Sequence, residues 1–186
     1  ADFPGKGYVQ PYADNPLDRE TVGENVYLNI INSSVHYVYM YTPYLIIDNE
    51  MITALCLASK RGVDVRIVTP AIPDKKAVFL LTQSYYRQLV EAGIKIYQYT
   101  PGFIHAKCFL CDDKIATVGT INMDFRSLYL HFENVVFMYQ TEVIPQLKED
   151  MFETFEHSQL ISKKMCAGTL PKRLAQSMLR ILAPLL

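Results

Sequence analysis

The apolar positions change rhythm several times along the chain, and the changes mark out its elements. Gly5, Gly7, Pro11 and Pro16 predict an irregular start. Val22, Val26, Tyr27 and Ile30 then recur at helical spacing, which predicts a helix over residues 21–33. Residues 36–41 are dense in β-branched and aromatic side chains and read as a strand that Pro43 ends. A helix through Ile52, Leu55 and Leu57 comes next, with Asp48 as its N-cap and Gly62 just past its end. Residues 63–68 form a second strand, 74–92 a helix closed by Gly93, and 94–99 a third strand. Strands alternating with helices imply parallel pairing with helices on the faces. Beyond residue 100 the rhythm shifts. Strands are expected over 104–111 and 115–122, joined by a tight turn at Asp112-Asp113-Lys114, with another over 133–139. Helices are expected over 141–155 and 170–186, the last one amphipathic. The expected fold class is α/β, a mixed, largely parallel sheet between helical layers. The 186 residues suit one domain with a sizeable core, spanning 1–186 without internal repeats.

Composition narrows the function. The net charge of −1 lacks the Lys and Arg excess of a domain that grips a nucleic-acid backbone, so no nucleic-acid partner is expected. No apolar run reaches the roughly 20 residues that span a bilayer. The chain opens on Ala1-Asp2-Phe3 without an initiator Met or a signal peptide, so an excised fragment is expected, with any membrane anchor upstream. Cys108 and Cys111 form a lone CxxC without a second pair, which reads as buried thiols rather than a zinc site.

The candidate chemistry lies in Ile104-His105-Ala106-Lys107-Cys108-Phe109-Leu110-Cys111-Asp112 and in Val118-Gly119-Thr120-Ile121-Asn122. Two residues apart on a strand, His105 and Lys107 share a face, and Thr120 and Asn122 share one in the same way. Pairing the strands brings a nucleophile or proton carrier, a fixed cation, a hydroxyl and an amide to one spot. That set suits a phosphodiester. The cation and amide hold the non-bridging oxygens, and the imidazole attacks phosphorus or moves a proton. Asp112 stands seven positions from His105, an odd number, so parity turns it away from the site and toward bracing the turn. The motif supplies its own cation, and no carboxylate cluster of the magnesium-binding kind accompanies it, so neither a metal nor another cofactor is expected.

His-x-Lys-x4-Asp-x6-Gly-Thr-x-Asn resembles the HKD signature of the phospholipase D superfamily, with Gly119 and Thr120 completing it and Thr120 standing where Ser is commoner. In that family a Glu about eleven residues past the Asn accepts a hydrogen bond from the catalytic imidazole, and Glu133 stands there. Further stretches resemble the second HKD half of bacterial cardiolipin synthases over nearly the whole length. They are Tyr41-Thr42-Pro43-Tyr44 with Asp48, residues 61–66, Ser84-Tyr85-Tyr86, residues 99–107, residues 122–127, and Pro184-Leu185-Leu186. The membrane segments and first HKD half of such enzymes are not in this chain.

The resemblance implies a transfer between two phosphatidylglycerols through a phosphohistidine, releasing glycerol. His105, Lys107, Asn122 and Glu133 would be the catalytic set, with Tyr44, Tyr85, Tyr86 and Arg126 as candidate substrate contacts. Arg126 is expected to bind phosphate or to pin its loop through Asp124. His131, two residues before Glu133, is a candidate site-lining group; His36 and His157 are expected to be structural. Whether His105 is the nucleophile or the general acid stays open. The implied partner is the N-terminal HKD half of the same polypeptide, or a second copy in a homodimer, with the parent enzyme at the cell membrane. Two other readings remain: a homodimeric single-HKD phosphodiesterase acting on lipid or nucleic acid, and a non-catalytic binding or assembly half.

Overall fold

The computed structural model describes residues 5–17, 20–181 and 183. In chain order the elements are β1 (Tyr8–Asp14), α1 (Val22–Ser33), β2 (Tyr37–Tyr41), β3 (Leu45–Ile46), α2 (Asn49–Lys60), β4 (Asp64–Pro70), α3 (Lys76–Glu91) and β5 (Lys95–Tyr99). Then come β6 (Cys108–Cys111), β7 (Ile115–Gly119), β8 (Met123–Asp124), α4 (Phe125–Tyr129), β9 (Glu133–Tyr139), α5 (Val143–Glu156), β10 (Ser158–Leu160) and α6 (Leu170–Ile181).

Eight strands form one sheet in the order β1-β9-β7-β6-β2-β4-β5-β10. The sheet is mixed, as the sequence predicts, but it is not largely parallel. Its parallel pairings are β2–β4 and β4–β5, where helices make the crossovers; the other five, among the described residues, are antiparallel. The short turn between β6 and β7 allows only antiparallel pairing, and β1, β9 and β10 add antiparallel neighbours that are distant in sequence. The expected irregular start is also corrected. Residues 8–14 pair with β9 along their whole length, Pro11 opposite Val136. A proline lacks a ladder donor and is tolerated here because β1 is the sheet's edge.

β2 is buried on both faces and shows how the core divides. Val38 and Met40 join the cluster under α1, α2 and α3, while Tyr37, Tyr39 and Tyr41 join the one under α5. On the α5 side the Arg66 guanidinium lies over the Tyr39 and Phe155 rings, 4.8 and 4.9 Å from their centroids. Cys111 and Cys108 fall in the two different clusters, and the four cysteines are free. The Asp48 carboxylate caps α2 by accepting the Met51 amide at 2.8 Å, and Gly62 and Gly93 come just after their helices at positive φ.

α6 reverses the usual arrangement of an amphipathic helix. Its polar face is packed, with Leu179 beside it: Lys172 donates to Gln83, Gln176 to the Leu80 carbonyl, and Arg180 to Ser84. Leu170, Leu174, Met178 and Ile181 stand 59–79% exposed on the other side. The terminal Pro184-Leu185-Leu186 lies outside the described residues. Among the described residues no helix is long and apolar enough to cross a membrane.

Asp112 and Asp113 form the turn between β6 and β7, both with positive φ (50° and 55°), and Lys114 N–H closes it on the Cys111 carbonyl at 3.0 Å. Two left-handed residues make this the hairpin turn whose twist matches its strands. The Asp112 carboxylate reaches past the turn and accepts the amides of Val35, His36 and Tyr37 at 2.7, 2.9 and 2.8 Å. These bonds hold its pKa below the usual carboxylate range, against the opposing effect of burial. Asp112→Ala should lower stability by about 2 kcal/mol, through lost charge-assisted bonds and a Cβ forced into left-handed backbone without a side chain suited to it. Asp112→Asn should lose less. The stabilisation should be complete above about pH 4 and fade as acid protonates the carboxylate. Urea unfolding of the three proteins across pH checks this; equal midpoints would refute it.

Candidate active site

The β6–β7 hairpin assembles the motif through its register. Cys108 pairs with Val118, and one step further the Gly119 N–H donates to the Lys107 carbonyl at 3.2 Å. His105 and Lys107 precede β6 instead of lying within it, as a strand from residue 104 would have had them. The reason is the neighbour: β2 ends at Tyr41, opposite Cys108, and Thr42-Pro43 leads the chain away. The two motif residues meet nonetheless. Lys107 Nζ lies 3.0 Å from the His105 ring nitrogens and donates to the His105 carbonyl at 2.8 Å. The Phe103 ring stacks on the imidazole at 5.6 Å between centroids.

On the far side of β7, the motif glycine is required by close approach. A Cβ on Gly119 would run into the Asn134 carbonyl oxygen and lie 2.7 Å from Val135 Cα. Thr120 extends the ladder to β9: its N–H donates to the Asn134 carbonyl at 2.9 Å, and its hydroxyl accepts the Asn134 N–H at 2.9 Å. Asn122 sits in a loop fixed on both flanks, by the Tyr27 hydroxyl on the Ile121 carbonyl (3.0 Å) and by the Met123 amide on Thr42 Oγ1 (3.0 Å). Its Nδ2 donates to Ser127 Oγ at 3.0 Å, while its buried Oδ1 has no partner. A buried amide oxygen left alone is costly. Turning the amide over lets its oxygen accept the Ser127 hydroxyl and leaves the NH2 to donate where the unpaired oxygen stood.

A cleft of about 520 Å³ joins His105, Lys107, Thr120 and Asn122, and Tyr41, Leu147 and Asp150 form its opposite wall. The Tyr41 hydroxyl donates to the Asp150 carboxylate at 3.2 Å. A second cleft, of about 260 Å³, has Asn122 as a wall as well, with Tyr44, Lys75, Arg126, Ser127 and His131. Burial and the Lys107 ammonium hold the His105 pKa below the ordinary histidine value, and the Asp74 carboxylate opposes them. Burial also lowers the Lys107 pKa, against the pull of Glu133 and Asp124. The site at rest therefore favours a neutral imidazole beside a cation. Among the described residues no three or more His, Cys, Asp or Glu side chains converge as a metal ion would need.

Among the other expected residues, Glu133 lies 3.7 Å from His131 Nδ1 and acts electrostatically on Lys107; the His105 ring bonds to Lys107 rather than to Glu133. Arg126 meets His131 Nε2 at 3.2 Å, while Asp124 caps α4 by accepting the Ser127 amide at 3.0 Å instead of pinning Arg126. Tyr44 lines the second cleft and donates to Asp74 at 2.5 Å. Tyr85 and Tyr86 line neither cleft. Tyr86 is buried on Thr69 (2.6 Å) and Gln98 (3.3 Å), and Tyr85 lies beneath the Arg180 guanidinium at 4.3 Å. The apolar face of α3 takes both inward. Sequence reasoning missed Tyr41, Asp74, Lys75, Leu147 and Asp150 as site residues. They come from elements outside the motif, and only the alternation of β2, which sets the face of Tyr41, hinted at one of them.

The fold matches solved structures of the phospholipase D class. Nuc from Salmonella typhimurium, a phospholipase D family member, superposes with TM-score 0.70 at 19% identity, over 84% of this chain and 99% of its own. Phosphatidylserine synthase of Haemophilus influenzae superposes with TM-score 0.74 at 18% identity, over 95% and 45%. In sequence, residues 27–155 match the family model described as cardiolipin synthase, PLD-like domain, and the chain belongs to that family. An uncharacterized protein of Streptococcus mutans is 50% identical over 97% of this chain and 39% of its own length. The cardiolipin synthase of Geobacillus kaustophilus is 39% identical over 98% and 36%. The chain thus spans little more than a third of these relatives.

The charge balance around His105 is testable by sign. Lys107→Gln removes a cation and should raise the imidazole pKa; Asp74→Asn removes an anion and should lower it. An NMR titration of the His105 ring in the two variants checks both directions. Shifts of the same sign, or none, would refute this balance.

Proposed function

We propose that this chain is the second catalytic half of a cardiolipin synthase, transferring a phosphatidyl group from one phosphatidylglycerol to another. The observation that carries the reading is the contact of the His105 imidazole with Lys107 Nζ, beside the half-satisfied Asn122 amide at one cleft, in a chain of this family. Lys107 and the Asn122 amide hold the non-bridging oxygens of the donor phosphodiester, where charge builds in the transition state. Glu133 helps keep Lys107 charged. One imidazole attacks phosphorus, forming the phosphorus–nitrogen bond of a phosphatidyl-histidine. The bond to glycerol breaks, and a second imidazole protonates the departing alkoxide. That imidazole then takes the proton from the hydroxyl of the second phosphatidylglycerol. The resulting attack on phosphorus forms cardiolipin and frees the histidine.

The two imidazoles must stand on opposite sides of one phosphorus, and this chain has one histidine in the HKD setting. The N-terminal half of a longer polypeptide supplies the other. His105 takes the acid-then-base role, which requires its ring to gain a proton when substrate binds. A bound phosphate does this by drawing the Lys107 ammonium onto its oxygens and placing negative charge beside the ring. The longer enzyme works at a membrane, where both substrates reside.

His105→Ala in the longer protein should cut cardiolipin formation about 10²–10⁴-fold with an unchanged melting temperature. The purified chain alone, as a monomer, should make none from phosphatidylglycerol vesicles and regain activity when mixed with the upstream half. Cardiolipin made by the monomeric chain alone would overturn the two-histidine reading.

A further inference from the structure

We infer that the second cleft binds the phosphodiester of the acceptor lipid, so that this chain holds two lipid phosphates one glycerol apart. The inference rests on the transferase reading and adds the acceptor side to it. An acceptor phosphatidylglycerol brings its own anion, separated from the attacking hydroxyl by the glycerol it carries. The first cleft's cation, Lys107, is taken by the donor. A second anion beside it needs a second set of donors.

The second cleft has that set in the required place. It adjoins the first across Asn122, which walls both. Its volume of about 260 Å³ has room for a glycerophosphate group. Lys75 and Arg126 face it, and among the described residues neither meets a carboxylate in an ion pair. The contact of Arg126 with His131 Nε2 holds the guanidinium at the cleft. The acidic group on the wall, Asp124, is buried and spends its charge on the Ser127 amide. Two cations without a carboxylate partner suit an anionic phosphodiester, with the planar guanidinium able to bind two of its oxygens. Water or a plain alcohol gains nothing from them.

The test sets two acceptors in competition for one intermediate. The longer protein is given phosphatidylglycerol vesicles and labelled free glycerol. Transfer to a second phosphatidylglycerol gives cardiolipin; transfer to labelled glycerol gives labelled phosphatidylglycerol and releases the unlabelled headgroup. Donor cleavage is common to both, so the product ratio reads the acceptor side. Lys75 and Arg126 are exposed, so Lys75→Ala/Arg126→Ala should fold, as a matching melting temperature verifies. The ratio of cardiolipin to labelled phosphatidylglycerol should fall about tenfold or more, with the acceptor KM raised, and Arg126→Lys alone should recover much of it. A ratio within about twofold of wild type, with wild type making cardiolipin, overturns the acceptor site and leaves the transferase reading standing. If wild type exchanges glycerol but makes no cardiolipin, the transferase reading fails and the acceptor site falls with it.

Discussion

The geometry of the site depends on the Asp112 carboxylate. One side chain joins the hairpin turn to the residues that lead into β2, through three backbone amides from a segment about 75 positions away in sequence. β6 is thereby held in register against β2, and the register fixes where pairing stops, at Tyr41 opposite Cys108. That endpoint places the other motif residues. Lys107 falls opposite Gly119, the Gly-Thr-x-Asn stretch runs into the loop held by Tyr27 and Thr42, and Asn122 arrives beside the two motif residues. A slip of one residue would send every side chain of β6 to the opposite face. Distance from the imidazole does not make this residue dispensable: it specifies the alignment that lets the others meet.

Much of this was legible in the sequence, and the failures share a cause. The early strand–helix alternation was read nearly to the residue, because Asp48, Gly62 and Gly93 are local signals with local effects. The motif placed His105, Lys107 and Asn122 at one cleft because their spacing matches a hairpin. What escaped depends on contacts distant in sequence. β1 looked irregular because Pro11 is a breaker everywhere except on an edge, and nothing local says that residues 8–14 will be one. The share of antiparallel pairing comes from how β6, β7 and β9 extend the sheet beyond β2. Tyr85 and Tyr86 lie in a stretch that resembles the family, yet the apolar stripe of α3 carries them into the core. Lys75, Leu147 and Asp150 join the clefts only because α3 and α5 pack on opposite faces of one sheet.

The charges around the imidazole form a balance that substrate can tip. Lys107 and burial push His105 toward its neutral form, Asp74 pulls the other way, and Glu133 and Asp124 bear on the lysine rather than on the ring. Among the described residues no carboxylate competes with a phosphate for the ammonium's contact with the histidine: Asp124 is committed to its helix cap and Asp74 to Tyr44, and Glu133 acts on Lys107 without bonding to it. An arriving phosphodiester therefore meets a cation whose hydrogen-bond partners are an imidazole and a carbonyl, not a carboxylate. Breaking a lysine–carboxylate pair would oppose binding by the strength of that pair; exchanging a neutral acceptor for an anion favours it. The same exchange removes the main charge that keeps the ring neutral. Binding and protonation of His105 are therefore thermodynamically linked: whatever proton affinity the phosphate adds to the ring, a protonated ring returns as affinity for the phosphate.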